Sequence, residues 1–344
     1  MTRDTSRGIE QADTTTLHTI GQGFCGTVWA SETGPAFKRE DGGPHRSLAN
    51  DFGMHQRTLQ SFQKIPALQI QIPTCDAFIA AENQKWWSAN HQKFPPGFRI
   101  PCNIIQSQRI PPFSEPVRRL LIETYCPSAM IMEIMASEPN KDCLIRPYLG
   151  RRRVGKTNTA SRFTAFSLRN FPLHIDQMET LGISTNDIDQ YARVMAETLA
   201  VMHWVGEMDG NDIEFVLARP NLSSHDDNSH YENESNALGD HSMWVLDFDL
   251  CRSMAMDSKG VEQAVAAFWG NDPYYPRPCK ELERDQLLWL VFRDHYLQTS
   301  QTCIDIAVRE PQEAQRRHAL SKQFIRQIEQ EGEARKGKHD NIDH

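Results

Sequence analysis

The chain has 344 residues, 39% hydrophobic and 24% charged, with a formal net charge of −8. A mean hydropathy of −0.57, with no apolar run approaching the roughly 20 residues that span a bilayer, excludes a helical membrane protein and predicts a soluble globular one. The excess of acid excludes a surface coated with positive charge for DNA, while leaving room for a local basic patch.

The opening Met1-Thr-Arg-Asp-Thr-Ser-Arg7 has no apolar core of the kind a secretory signal needs, so a cytoplasmic location is expected. Residues 1–15 are polar and aperiodic and read as a disordered arm. From Leu17 to Lys38 the pattern is strand, glycine-rich turn, strand, turn at Thr33-Gly34-Pro35, and strand. Ser47 to Phe62 reads as a helix, with Leu48, Phe52, His55, Leu59 and Phe62 on one face. Between Ile65 and Gly150 the pattern predicts short strands, among them Asn103–Gln108 and Ala129–Met135, because recurrent prolines exclude long helices.

Ser184 to Asp187 supplies capping residues for a helix through His203, striped by Ile188, Tyr191, Met195, Leu199 and Met202. Arg219 to Ser242 reads as a loop joining two strands, and Val261–Trp269 and Leu282–Leu297 as helices. The charged last 30 or so residues predict a surface helix with a frayed tail. Strands first and helices later predict an α+β fold, a small β-rich lobe on a larger helical lobe. The expected divisions are 1–15, 16–150, 151–310 and 311–344. The 8 cysteines form neither C-x-x-C pairs nor a Cys/His array, which predicts reduced, mostly buried thiols and no zinc module.

Three motifs carry chemistry. Gly21-Gln-Gly23-Phe-Cys-Gly26-Thr-Val28 fits G-x-G-x-x-G-x-V, a turn whose backbone can approach a phosphate. Ala36-Phe37-Lys38 follows where a kinase carries its phosphate-pairing lysine, and the next helix offers Asp51 as partner for Lys38. Gly150-Arg-Arg-Arg-Val-Gly155-Lys156-Thr157 matches the P-loop pattern, but a polar turn follows it rather than a helix, so it reads as accidental. Its cations, with Arg146, Arg162 and Arg169, form the densest basic segment. That segment is either a solvated turn or a phosphate contact, as on tRNA, through Arg151, Arg152, Arg153 and Lys156.

The third feature is a pair of acidic segments, Asp209-Gly-Asn-Asp212-Ile-Glu214-Phe-Val-Leu217 and Met243-Trp-Val-Leu-Asp247-Phe-Asp249. Gathered carboxylates repel one another and resist desolvation, so they imply a cation, a proton or a cationic substrate. The spacing echoes a kinase catalytic loop and metal-binding strand, with two departures. Glu207 replaces the histidine two residues before Asp209, and Glu214 stands at the asparagine position. The plainer alternative is a set of solvated strand-end carboxylates. No metal-ligand set is assigned.

Residues 17–297 resemble a fungal family with a degenerate kinase-like pattern, the arginine-containing cyclodipeptide synthases. The likeness rests on Arg146-Pro-Tyr-Leu-Gly150, Phe166-Ser-Leu-Arg-Asn170-Phe-Pro-Leu, the Asp209 and Asp247 segments, and Asn271-Asp-Pro-Tyr-Tyr-Pro-Arg277. The resemblance implies a kinase-like bilobal fold and synthesis of cyclo-Arg-Xaa from arginyl-tRNA and a second aminoacyl-tRNA, in secondary metabolism. No further cofactor is implied, because the aminoacyl ester is already activated. Asp209, Asp212 and Glu214 would then be catalytic, and Asp247, Asp249, Gly23 and Lys38 would line the substrate site. Two alternatives stand beside it: a small-molecule kinase of the aminoglycoside type using Mg-ATP, and a pseudokinase scaffold without activity.

Overall fold

The computed structural model describes residues 16–23, 25–43, 47–153, 166–221 and 236–340. The arm at 1–15, the P-loop-like residues 154–157 with Lys156, Arg162, and most of the 219–242 loop lie outside these residues.

The predicted N-terminal meander forms as β1 (His18–Gln22), β2 (Thr27–Ala30) and β3 (Ala36–Arg39), paired antiparallel. α1 (Leu48–Phe62) follows, capped by Ser47, whose Oγ accepts a hydrogen bond from Asn50 N at 3.3 Å. Then come β4 (Cys75–Ile79), α2 (Gln84–Asn90) and β5 (Ile104–Ser107). The first sheet runs β1-β2-β3-β5-β4, antiparallel throughout. Strand periodicity sorts β3 by face. Phe37 joins Trp29, Trp87 and Phe94 in an aromatic cluster, and Arg39 lies over the Trp87 and Phe94 rings. Lys38 points the opposite way, toward α1.

The next two elements correct an expectation. α3 (Glu115–Tyr125) carries Pro116 in its first turn, where a missing N–H costs nothing. α4 (Ile131–Ala136) is helical, whereas the pattern predicts a strand over 129–135. Only Ile134 of α4 is buried and Met132 is 82% exposed, so the apolar run has no strand alternation, and methionine favours a helix.

β6 (Ile145–Tyr148) and β7 (Phe171–His174) pair in parallel, α5 (Ile175–Thr180) and α6 (Thr185–Trp204) follow, and β8 (Glu214–Ala218) and β9 (Ser242–Leu246) form the predicted antiparallel pair. The second sheet runs β7-β6-β8-β9 and so crosses the division expected at 150. Gln71 stitches the regions together: its N donates to Met243 O at 2.8 Å, and its O accepts from Val245 N at 3.0 Å. α7 (Ser258–Gly270), α8 (Glu283–Ala307) and α9 (Pro311–Asp340) complete the helical part.

The large core lies between the second sheet and these helices, and all five stripe residues predicted for α6 are within it. The charge of α9 predicts a surface helix. Instead Leu320, Phe324, Ile325 and Ile328 are buried in the same core. All 8 cysteines are free and six are buried, as expected. Among the described residues no helix is long and apolar enough to cross a membrane.

Candidate functional site

Lys38 gathers the two halves of the molecule. Its Nζ lies 2.6 Å from Asp51 Oδ2 on α1 and 2.7 Å from Asp247 Oδ1 at the end of β9. Burial alone would lower its pKa, but the charges of Asp51 and Asp247 outweigh burial and hold the ammonium well above its usual range. The Asp51 partnership is the one the sequence suggests. The start of α1 also grips the acidic turn through main-chain atoms. Asp51 Oδ1 accepts from Phe248 N at 3.1 Å, and Asn50 Nδ2 donates to Asp249 O at 2.8 Å and Cys251 O at 3.1 Å.

Glu214 opens β8 opposite Leu246, which brings it beside Asp247. Arg146 Nη2, from β6, chelates both its oxygens at 2.7 and 2.6 Å. Burial raises the Glu214 pKa above the ordinary carboxylate value and the charges of Asp247 and Asp212 add to the rise, which Arg146 only partly offsets. Asp212 and Asp247 both hold left-handed backbone, at φ 61° and 66°. Aspartate tolerates that region better than most residues, and such conformations concentrate at functional sites. Asp212 N donates to Asn271 Oδ1 at 2.6 Å, which fixes its turn.

Asp209 is placed differently. It is 4% exposed, its Oδ1 accepts from Asn211 N (3.1 Å) and Arg252 N (3.0 Å), and its Oδ2 accepts from Gln263 Nε2 (2.7 Å). Those bonds tie the first acidic segment to the turn that follows the second and to α7, and build the turn that carries Asp212, so Asp209 holds the scaffold. Glu207, in place of the expected histidine, pairs with Arg317 of α9 at 2.8 Å.

In the glycine-rich turn, Gly26 is the position only glycine can fill. Its φ is 151°, and a Cβ there would sit 1.9 Å from Arg39 O. A Cβ at Gly23 would meet nothing within 4 Å. Cys25 is buried under this turn within electrostatic reach of Lys38, Asp249, Asp51 and Asp247. Burial pushes its thiol up to about 11, so it stays protonated near neutrality and is a poor nucleophile.

The basic segment is partly turned inward. Arg146 serves Glu214, and Arg152 is held between Glu179 (2.7 and 2.9 Å) and Asp285 (2.7 and 3.0 Å). Arg151 pairs with Asp272, and Arg169 donates to the Thr19 carbonyl and to Pro139 O at 3.2 Å. Arg153 is exposed and its backbone N donates to Asp176 at 2.9 Å. Sequence reasoning misses Arg146, Asn50, Gln263 and Asn271 as shapers of the site. Arg146 and Asn271 carry a signal, each opening a distinctive motif whose role the sequence leaves open.

The geometry can be set beside known proteins. A family model of unknown function described as a zinc finger protein, DUF3669, matches residues 243–307, from β9 through α8. No curated protein and no solved structure matches the chain. The matched span holds Cys251, Cys279, Cys303 and His295, yet among the described residues no group of three or more His, Cys, Asp or Glu could hold a metal ion. The zinc description therefore has no counterpart in the described residues.

Proposed function

We propose that this chain is a kinase-like enzyme that joins arginine to a second amino acid from their tRNAs and releases cyclo-Arg-Xaa. One observation carries the reading. Asp51 and Asp247 pair with Lys38 and Glu214 pairs with Arg146, while Asp212 lies within electrostatic reach of Glu214 and Asp249 within reach of Cys25, five carboxylates against two cations. A surplus of negative charge, running from the buried Asp51 and Asp249 to the exposed Asp212, favours a cationic guest, and a guanidinium suits paired carboxylates best. Support for kinase ancestry comes from the five-stranded antiparallel sheet, the glycine-rich turn, and the lysine on the third strand paired to the following helix.

The chemistry needs no external energy. The α-amine of one aminoacyl ester attacks the carbonyl carbon of the other; a C–N bond forms, the ester C–O bond breaks, and the tRNA hydroxyl leaves with a proton. The free amine of the dipeptidyl ester then repeats the attack within its own chain, closes the ring and frees the second tRNA. Each attack needs the ammonium to lose a proton first, and Glu214, with its raised pKa, is the best-matched acceptor. Asp212, Asp247 and Asp249 are the partners offered to the guanidinium. Asp209 acts by positioning.

The test is expression in a heterologous microbe with mass spectrometry for cyclo-Arg-Xaa, followed by reconstitution with arginyl-tRNA. Asp212→Asn and Glu214→Gln should each abolish product in folded protein; full activity in both would sink the assignment. Asp209→Asn should lower the melting temperature as well as the yield.

A second reading, a small-molecule kinase, is favoured by the Asp51–Lys38–Asp247 bridge. It would consume ATP and lose all activity in Lys38→Met.

A further inference from the structure

A groove of about 750 Å³ opens beside the acidic site, between the turn after β6, the segment from Asp272 to Leu282, and the far end of α9. Three stretches distant in sequence bring cations to it: Arg151 and Arg152, Arg277 and Lys280, and Arg335 and Lys336. Asp272, Glu281 and Asp285 are its acids, and beyond its lining Glu179 pairs with Arg152 at 2.7 Å and Glu331 with Arg335 at 2.6 Å, so the positive excess in this chain of net charge −8 is carried by Lys280 and Lys336. Gly332 allows the convergence, because a Cβ there would lie 2.8 Å from Pro278 Cγ and hold α9 away.

The floor is built rather than incidental. Arg277 is 4% exposed, stacks on Phe268 at 4.6 Å and Trp269 at 4.7 Å, donates to Phe268 O at 3.0 Å, and lies 3.6 Å from Asp272. Arg335 covers Trp269 at 4.3 Å.

Residues 271–274 run between the groove, which Asp272 lines, and the acidic cluster. Asn271 holds the Asp212 turn, Asp272 pairs with Arg151, Pro273 O accepts from Gly150 N at 2.8 Å, and Tyr274 lies within electrostatic reach of Glu214 and Arg146. Positive and negative surfaces therefore meet across four residues. An aminoacyl-tRNA has the matching polarity, a phosphate chain ending in a cationic amino acid.

Resting on the synthase reading, we infer that this groove seats the tRNA backbone, its phosphates on Lys280, Arg335 and Lys336 and its aminoacyl end on the acidic cluster. The experiment titrates deacylated tRNA by fluorescence anisotropy at several salt concentrations, with the full chain and with a Lys280→Ala/Arg335→Ala/Lys336→Ala variant. Affinity should fall about tenfold or more, and the slope of log K against log salt should flatten by about two to three, near 0.7–0.9 for each phosphate no longer neutralised. Glu281→Lys, which adds charge and leaves the three cations in place, should tighten binding and answers for the triple variant if that one unfolds. If the wild type binds tRNA and makes product while these variants leave affinity and slope unchanged, the groove assignment is overturned and the synthase reading stands. If the wild type neither binds tRNA nor yields product, both fall.

Discussion

Lys38 meets carboxylates 13 and 209 positions away in sequence, and its Asp51 partner is 3% exposed. Removing one member of a buried pair leaves the other uncompensated, which costs about 3–5 kcal/mol. Lys38→Met should therefore lower unfolding free energy in urea by about 3 kcal/mol, and adding Asp51→Leu should restore part of the loss; no change in the single variant would refute the ion-pair role. This pair is legible because the glycine turn, the lysine and the next helix come in a fixed order along the chain. Arg146 and Glu214 are not legible as partners. They meet because β6 pairs with β8 at Ile145 and Leu217, a long-range register that no local pattern encodes. The partners of Asp209 are not legible for a related reason: Arg252 and Gln263 reach it from the turn after β9 and from α7, which no local pattern places beside it.

α9 is the element whose burial the sequence most understates. Its charge density suggests a solvated surface, but Leu320, Phe324, Ile325 and Ile328 recur at helical spacing and form a narrow apolar stripe against α7 and α8. Phe324 is 1% exposed and packs its ring 4.9 Å from both His203 and Tyr296. Phe324→Ala should cost about 3–5 kcal/mol in chemical denaturation, whereas Lys322→Ala, on the exposed side, should stay within about 0.5 kcal/mol. Equal, small effects would mean that the helix is not part of the core. Four apolar positions among many charges are easily outvoted in a composition count, whereas α6, buried on nearly every side, is legible from its long stripe.

At the scale of the whole molecule, stability should depend on acid. Burial lowers the pKa of His203 to about 4 and also depresses His55, His174 and His241. A histidine with a depressed folded pKa contributes fully above the unfolded value of 6.5 and loses that contribution as pH falls through the folded pKa. For His203 the window runs from about 6.5 to about 4 and is worth about 3 kcal/mol. Glu214 has the opposite sign, since its raised pKa favours the protonated folded form, so it softens the acid limb from its raised folded value down to the ordinary 4.5, a range that overlaps the histidine window. Urea unfolding at pH 7, 5.5 and 4.5 should show a decline that His203→Gln reduces; identical slopes would remove His203 from the account. The division into a sheet-rich first part and a helical second part is legible from pattern alone, while the second sheet, assembled from four strands scattered over a hundred residues, is not. The link between those parts has an evolutionary corollary. The 248–252 turn is grasped by its amides and carbonyls, through Asp51, Asn50 and Asp209. The half-buried Leu250 and the exposed Arg252 can therefore drift under selection while the buried Phe248, Asp249 and Cys251 stay fixed, so the shape of the turn outlasts changes on its open face.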